Sequence, residues 1–126
     1  MKKIFILVTF LTLALFYAAP TQVDAQDTLD VAAVPPGNIN EVINGDTLAG
    51  GIRANPDRVY RLQRGFIYQV TEPLKINGNL KIVATEGDER PPVLAPAILA
   101  DNSSVGNFFN FIGDNAEVEI HDLYLL

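Results

Sequence analysis

The sequence predicts an all-β fold. Short runs of β-branched and aromatic residues follow one another from Val59 to Leu126, and apolar side chains alternate with charged ones inside the clearest of them. The one stretch with helical spacing ends at Asn44-Gly45, and turn pairs such as Asn55-Pro56 and Asn77-Gly78 punctuate the remainder.

Taken in order, the chain opens with a leader. Lys2 and Lys3 precede Ile4 to Ala19, which holds no charged residue and is shorter than the roughly 20 residues that span a bilayer core. Thr9 and Thr12 dilute its apolarity, and Val23-Asp24-Ala25 places a small or β-branched side chain at each position a signal peptidase pocket reads. Residues 1–25 are therefore expected to be a signal peptide cut between Ala25 and Gln26, which leaves a secreted or cell-surface protein without a stable membrane anchor. A cut after Ala19 would set Pro20 beside the scissile bond. No cysteine occurs, so the chain has neither a thiol to acylate nor a disulfide framework.

Without the leader's two lysines and one aspartate, the nine basic and fifteen acidic residues leave a charge of about −7. Such a surface repels phosphate backbones and anionic lipids, which argues against a nucleic-acid partner. An anionic polysaccharide is repelled too, unless a basic patch or a divalent cation intervenes. The arginines Arg53, Arg58, Arg61 and Arg64 form a loose block with Asp57 inside it, and they read as solvated side chains on a strand-rich surface.

Residues 26–37 alternate acids with small apolar residues and end in Pro35-Pro36-Gly37, the pattern of an extended linker. Asn38 to Ile43 forms a short helix in which Asn38 or Asn40 can cap the start, Ile39, Val42 and Ile43 share a face, and Asn44-Gly45 stops it. Strand phrases then follow at Val59–Leu62, Phe66–Val70, Leu74–Ile76, Leu80–Val83, Pro92–Leu94, Asn107–Ile112, Glu117–Ile120 and Leu123–Leu126. Leu80, Ile82 and Ala84 are expected to face inward with Lys81 outward. Val118 and Ile120 are expected inward with Glu117, Glu119 and His121 outward.

Two arrangements of these strands compete. Asn77-Gly78 suits a two-residue type I′ hairpin between Leu74–Ile76 and Asn79–Val83. Alternatively, 80–87 and 117–124 are equivalent turns of a coil, each with an inward aliphatic pair, separated by an excursion from Asp88 to Gly106.

The order Pro36-Gly37, Ile39 to Thr47, then Arg58 to Tyr68, then Leu80-Lys81-Ile82-Val83 and Pro92-Val93 resembles the N-terminal portion of secreted bacterial right-handed parallel β-helix proteins of the pectin-lyase-like superfamily. The resemblance covers roughly Pro36 to Leu126 and rests on structural motifs. It implies that residues 38–126 are an N-terminal cap and the first turns of a β-helix. At least three turns are needed for independent stability, so the chain is expected to be a piece of a longer β-helix protein. Its open C-terminal end is expected to self-associate. Polysaccharide lyases of this fold carry calcium-binding carboxylates and a catalytic base on later turns. No position matches those motifs, so no catalytic, cofactor-binding or metal-binding residue is assigned, and calcium is expected only in a longer protein.

Isolated candidates remain. His121 is the only histidine and reads as a solvated strand residue without a placed partner. Glu86, Asp88 and Glu89 crowd one turn that could ligate calcium, but their spacing matches neither an EF-hand loop nor a Gly-Asp nonapeptide repeat, and they read as a solvated acidic turn. Asp101-Asn102-Ser103-Ser104 reads as turn chemistry, and it also contains a glycosylation sequon. Among the aromatic residues Phe66, Tyr68, Phe108, Phe109, Phe111 and Tyr124, any that point outward can stack on sugar rings, while most are expected in the interior. The function expected is an extracellular noncatalytic scaffold or carbohydrate-interaction module. The alternatives are the N-terminal part of a polysaccharide lyase or glycoside hydrolase with its catalytic turns downstream, and a structural surface adhesin.

Overall fold

A computed structural model describes residues 26–49 and 51–126. The expected signal peptide, residues 1–25, lies outside the described residues. The elements are strand β1 (Thr28–Val31), helix α1 (Asn38–Gly45), and strands β2 (Val59–Leu62), β3 (Ile67–Val70), β4 (Leu74–Ile76), β5 (Asn79–Ala84), β6 (Val93–Pro96), β7 (Phe109–Phe111), β8 (Glu117–His121) and β9 (Tyr124–Leu125). Strands dominate, as the alternation predicts.

Three sheets form, none of them closed into a barrel. The first has the order β1-β2-β5-β8, the second β3-β6-β9 and the third β4-β7. Every pairing between these strands is parallel. From β2 onward the chain visits the first, second and third sheets in turn, returns to the first at β5 and repeats the order, reaching the first again at β8 and the second at β9. Between the second and third sheets the later passage is longer, because residues 97–108 loop out through a turn closed by the Ile98–Ser104 bridge.

The Asn77-Gly78 hairpin does not form. β4 pairs with β7 while β5 lies between β2 and β8, so the two strands flanking this turn belong to different sheets. Gly78 takes the corner with φ +88°, a conformation that favours glycine. Leu74, Ile76, Leu80 and Ile82 thereby all enter one core, which an isolated two-stranded ribbon lacks.

Register stacks the inward residues into columns. Leu29, Tyr60, Ile82 and Ile120 are successive partners across the first sheet, with Leu80 and Val118 beside them. Tyr68, Leu94 and Leu125 align in the second sheet, and the third aligns Leu74 with Phe109 and Ile76 with Phe111. Full burial of each aliphatic side chain contributes about 1.5–3 kcal/mol.

Residues 26–37 are extended, but four of them pair as β1 against β2, with Val31 buried. The helix also differs from expectation. Its N-cap is Gly37, with φ +82° and no side-chain cap, and α1 runs on to Gly45. Asn38 instead donates to Ala32 O, 2.9 Å away. Asn40 and Asn44, one helical turn apart, reach sideways to the segment joining β3 and β4. Asn40 Oδ1 accepts from Thr71 N at 2.9 Å while its amide donates to Glu72 O, and Asn44 Oδ1 accepts from Lys75 N at 2.9 Å. These contacts occupy backbone groups at a sheet edge, while Ile39 and Ile43 bury beneath. α1 therefore covers one end of the stack.

Candidate functional site

The outer face of the first sheet carries the richest set of polar side chains. Alternation turns Thr28, Val59, Lys81 and Glu119 outward as one row of register partners, and Asp30, Arg61, Val83 and His121 as the next. Adjacent strands lie about 4.8 Å apart, so charges meet across the ladder. Arg61 Nε and Nη2 donate to Asp30 Oδ1 and Oδ2 at 2.6 and 2.9 Å, a bidentate pair. Lys81 Nζ lies 3.1 Å from Glu119 Oε1, and His121 Nε2 lies 2.5 Å from the same oxygen.

This face also holds the concavities. One of about 490 Å³ is lined by Asp30, Val31, Ala32, Arg61, Gln63 and Thr85. A second of about 550 Å³ shares Arg61 and Thr85 with it and continues over Val59, Lys81 and Val83. Two smaller depressions extend it past Lys81 and Glu119 toward Asn79 and Pro56. The result is one open trough over β1, β2 and β5, with Val83 half-buried on its floor and Val59 buried beneath.

Its electrostatics suit holding rather than proton transfer. The Arg61 guanidinium pulls the Asp30 carboxyl below its usual range. Hydrogen bonds from His121, and next from Lys81, lower Glu119 likewise, which makes it a weaker base. His121 stands exposed on its strand as expected, bonded to Glu119 and to neither serine.

The other candidates do not converge on this trough. Glu86, Asp88 and Glu89 are exposed, and Glu89 O accepts from Arg64 Nη1 at 3.0 Å. Among the described residues no group of three or more His, Asp or Glu is arranged to hold a metal ion. Asp101 Oδ1 accepts from Ser103 N at 2.9 Å and Ser103 Oγ at 2.5 Å, which is turn chemistry and lowers the Asp101 carboxyl. Tyr68 is buried, Phe108 and Phe109 are half-buried against the core, and Phe66, Phe111 and Tyr124 are exposed. Tyr124 extends an outward apolar row with Ile67 and Val93 on the second sheet.

The four arginines are not a solvated patch. Arg53 is 3% exposed: its guanidinium donates to Ile43 O at the end of α1 and to Lys75 O, and it lies 5.7 Å from the centroid of the Tyr60 ring. Arg58 bridges Asp27 and Asp46, with Asp46 also accepting from the Tyr60 hydroxyl at 2.6 Å. Burial, and next this hydrogen bond, push the Tyr60 hydroxyl well up. Arg64 donates to Thr85 O, Glu89 O and the Asp122 carboxylate, tying three successive corners together. Arg61 lines the main trough and Arg58 one of its smaller extensions. These pairings were invisible in the linear sequence because the partners lie far apart along it.

Comparison of the chain with models of protein families, with curated proteins and with solved structures finds no match.

Proposed function

We propose that the chain is an extracellular, noncatalytic scaffold that contacts carbohydrate, built as a parallel β-helix like the N-terminal portion of pectin-lyase-like proteins. The observation that carries the functional half is the polar trough of the first sheet, whose ionisable groups bond to one another around the half-buried Val83. The β-helix half is supported by parallel pairing in all three sheets and by the repeated order in which the chain visits them.

In this reading α1 is the cap and the coil supplies a rigid support for the trough. Export through the leader is part of this reading, and N-terminal sequencing that begins at Gln26 is the expected result. Binding is tested by depletion of the secreted protein on insoluble polysaccharides, with the supernatant assayed for new reducing or unsaturated ends. Depletion without product supports the reading. Turnover lost on His121→Ala would replace it with an enzymatic one.

The exposed ends of the interior columns favour a rod-like variant of the same role. Phe111 and Leu125 continue columns whose preceding members, Ile76 and Leu94, are fully buried. Further parallel turns stacked on that end would cover them. Light scattering that shows end-dependent association, reduced by Phe111→Asp, supports the variant.

A further inference from the structure

We infer that the trough on the first sheet takes an uncharged, extended glycan, lying over Val83 and hydrogen-bonded by the Arg61–Asp30 and Lys81–Glu119 pairs. This rests on the carbohydrate reading above and narrows it to a ligand class.

Charge decides the class. Each arginine or lysine of this face already has a carboxylate partner: Arg61 has Asp30, Lys81 has Glu119, and Arg58 has Asp27 and Asp46. A uronic or sulfated sugar would have to break one of these pairs and then meet the displaced carboxylate. A hydroxyl group needs no such exchange. Each pair offers N–H donors beside oxygen lone pairs, and vicinal sugar hydroxyls, which donate and accept at once, match that arrangement. The half-buried Val83 side chain fits the C–H face of a pyranose, which leaves the equatorial hydroxyls directed at the walls. Thr85 and Gln63 at one end and Asn79 at the other add uncharged partners along the trough. The shared lining makes the path continuous, so the ligand is a chain of sugars rather than a single ring.

Calorimetric titration of the secreted chain with three hexasaccharides tests this: a neutral β-linked glucan or xylan, an oligogalacturonate, and a chitosan oligomer. The neutral oligomer is expected to bind best, with an affinity that barely changes between low and physiological salt. Val83→Glu, which sets a carboxylate between Arg61 and His121 on the floor and competes for the Arg61–Asp30 pair, should weaken it by about tenfold or more, whereas Ile67→Ala, on the exposed face of the second sheet, should preserve the binding. Thermal melts of both variants check folding. Preferential binding of the uronic or cationic oligomer, or neutral binding untouched by Val83→Glu, overturns the inference while leaving carbohydrate contact standing. No binding by any oligomer, together with no depletion on insoluble polysaccharides, removes the carbohydrate reading itself.

Discussion

Ile76 and Phe111 are register partners on β4 and β7, yet Ile76 is fully buried while Phe111 leaves 56% of its surface exposed. One column of side chains thus passes from closed core to open end within a single step of the stack. Replacing Ile76 by alanine should cost about 2–5 kcal/mol, the range for a buried aliphatic that leaves a cavity. Phe111→Ala should cost no more than about 1.5 kcal/mol, because about half of its transfer energy is never gained. Urea unfolding of the two variants measures the difference.

Arg53 should be a second point of high sensitivity. Its guanidinium joins the last turn of α1 to β4, and its Nε is buried without a hydrogen-bond partner. Arg53→Ala would strip a donor from two carbonyls, at about 1–3 kcal/mol for each that stays unpaired. Arg53→Lys should recover only part of this, since one ammonium cannot reproduce the planar fork. Melting temperatures in the order Arg, Lys, Ala are expected, and an alanine variant as stable as the parent would count against the clasp.

Much of the fold was legible because period-two burial is a local signal. Leu80, Ile82, Val118 and Ile120 turn inward in the alternation read from the sequence, with Lys81, Glu119 and His121 outward. What escaped depends on distant partners. β1 reads as linker because Asp27 and Asp30 and the following prolines hide its pairing; only β2, beyond the helix, makes it a strand. Asn40 and Asn44 look like helix punctuation, although they serve a sheet edge. Of the trough, outward Lys81 and Glu119 were foreseeable. Their contact, and that of Arg61 with Asp30, required the parallel register.

Acid should destabilise the molecule in a definite window. The Asp27 carboxyl is lowered by hydrogen bonds from Arg58 and then Asn55, Asp30 by Arg61, and Glu119 by His121 and then Lys81. A folded pKa below the unfolded one adds stability that is present above about pH 4 and is lost as the pH falls through the lowered folded values. The melting temperature should accordingly stay level from about pH 7 to 5 and drop below about pH 4. Asp30→Asn should make that acid slope shallower, and an unchanged slope would detach the pair from stability.

Gly37 should tolerate no side chain. Its φ is +82°, and an added Cβ would lie 2.7 Å from Thr71 Oγ1, on the segment to which Asn40 binds. Gly37→Ala combines a left-handed backbone with a close contact and should cost about 1–3 kcal/mol. Equilibrium unfolding of this variant beside Gly45→Ala, which meets nothing within 4 Å, separates steric loss from a general glycine effect.

The most direct test of the architecture uses the absence of cysteine. Lys75 on β4 faces Asn110 on β7 in the parallel register, and both are exposed. Neighbouring strands at roughly 4.8 Å bring their Cα atoms within disulfide range. A hairpin turning at Asn77-Gly78 would instead set Lys75 opposite Leu80. Mild oxidation of the double variant Lys75→Cys, Asn110→Cys should give an intramolecular disulfide, read by mass spectrometry, and Lys75→Cys, Leu80→Cys should stay reduced. A bridge in the second variant and none in the first would contradict the stacked parallel account.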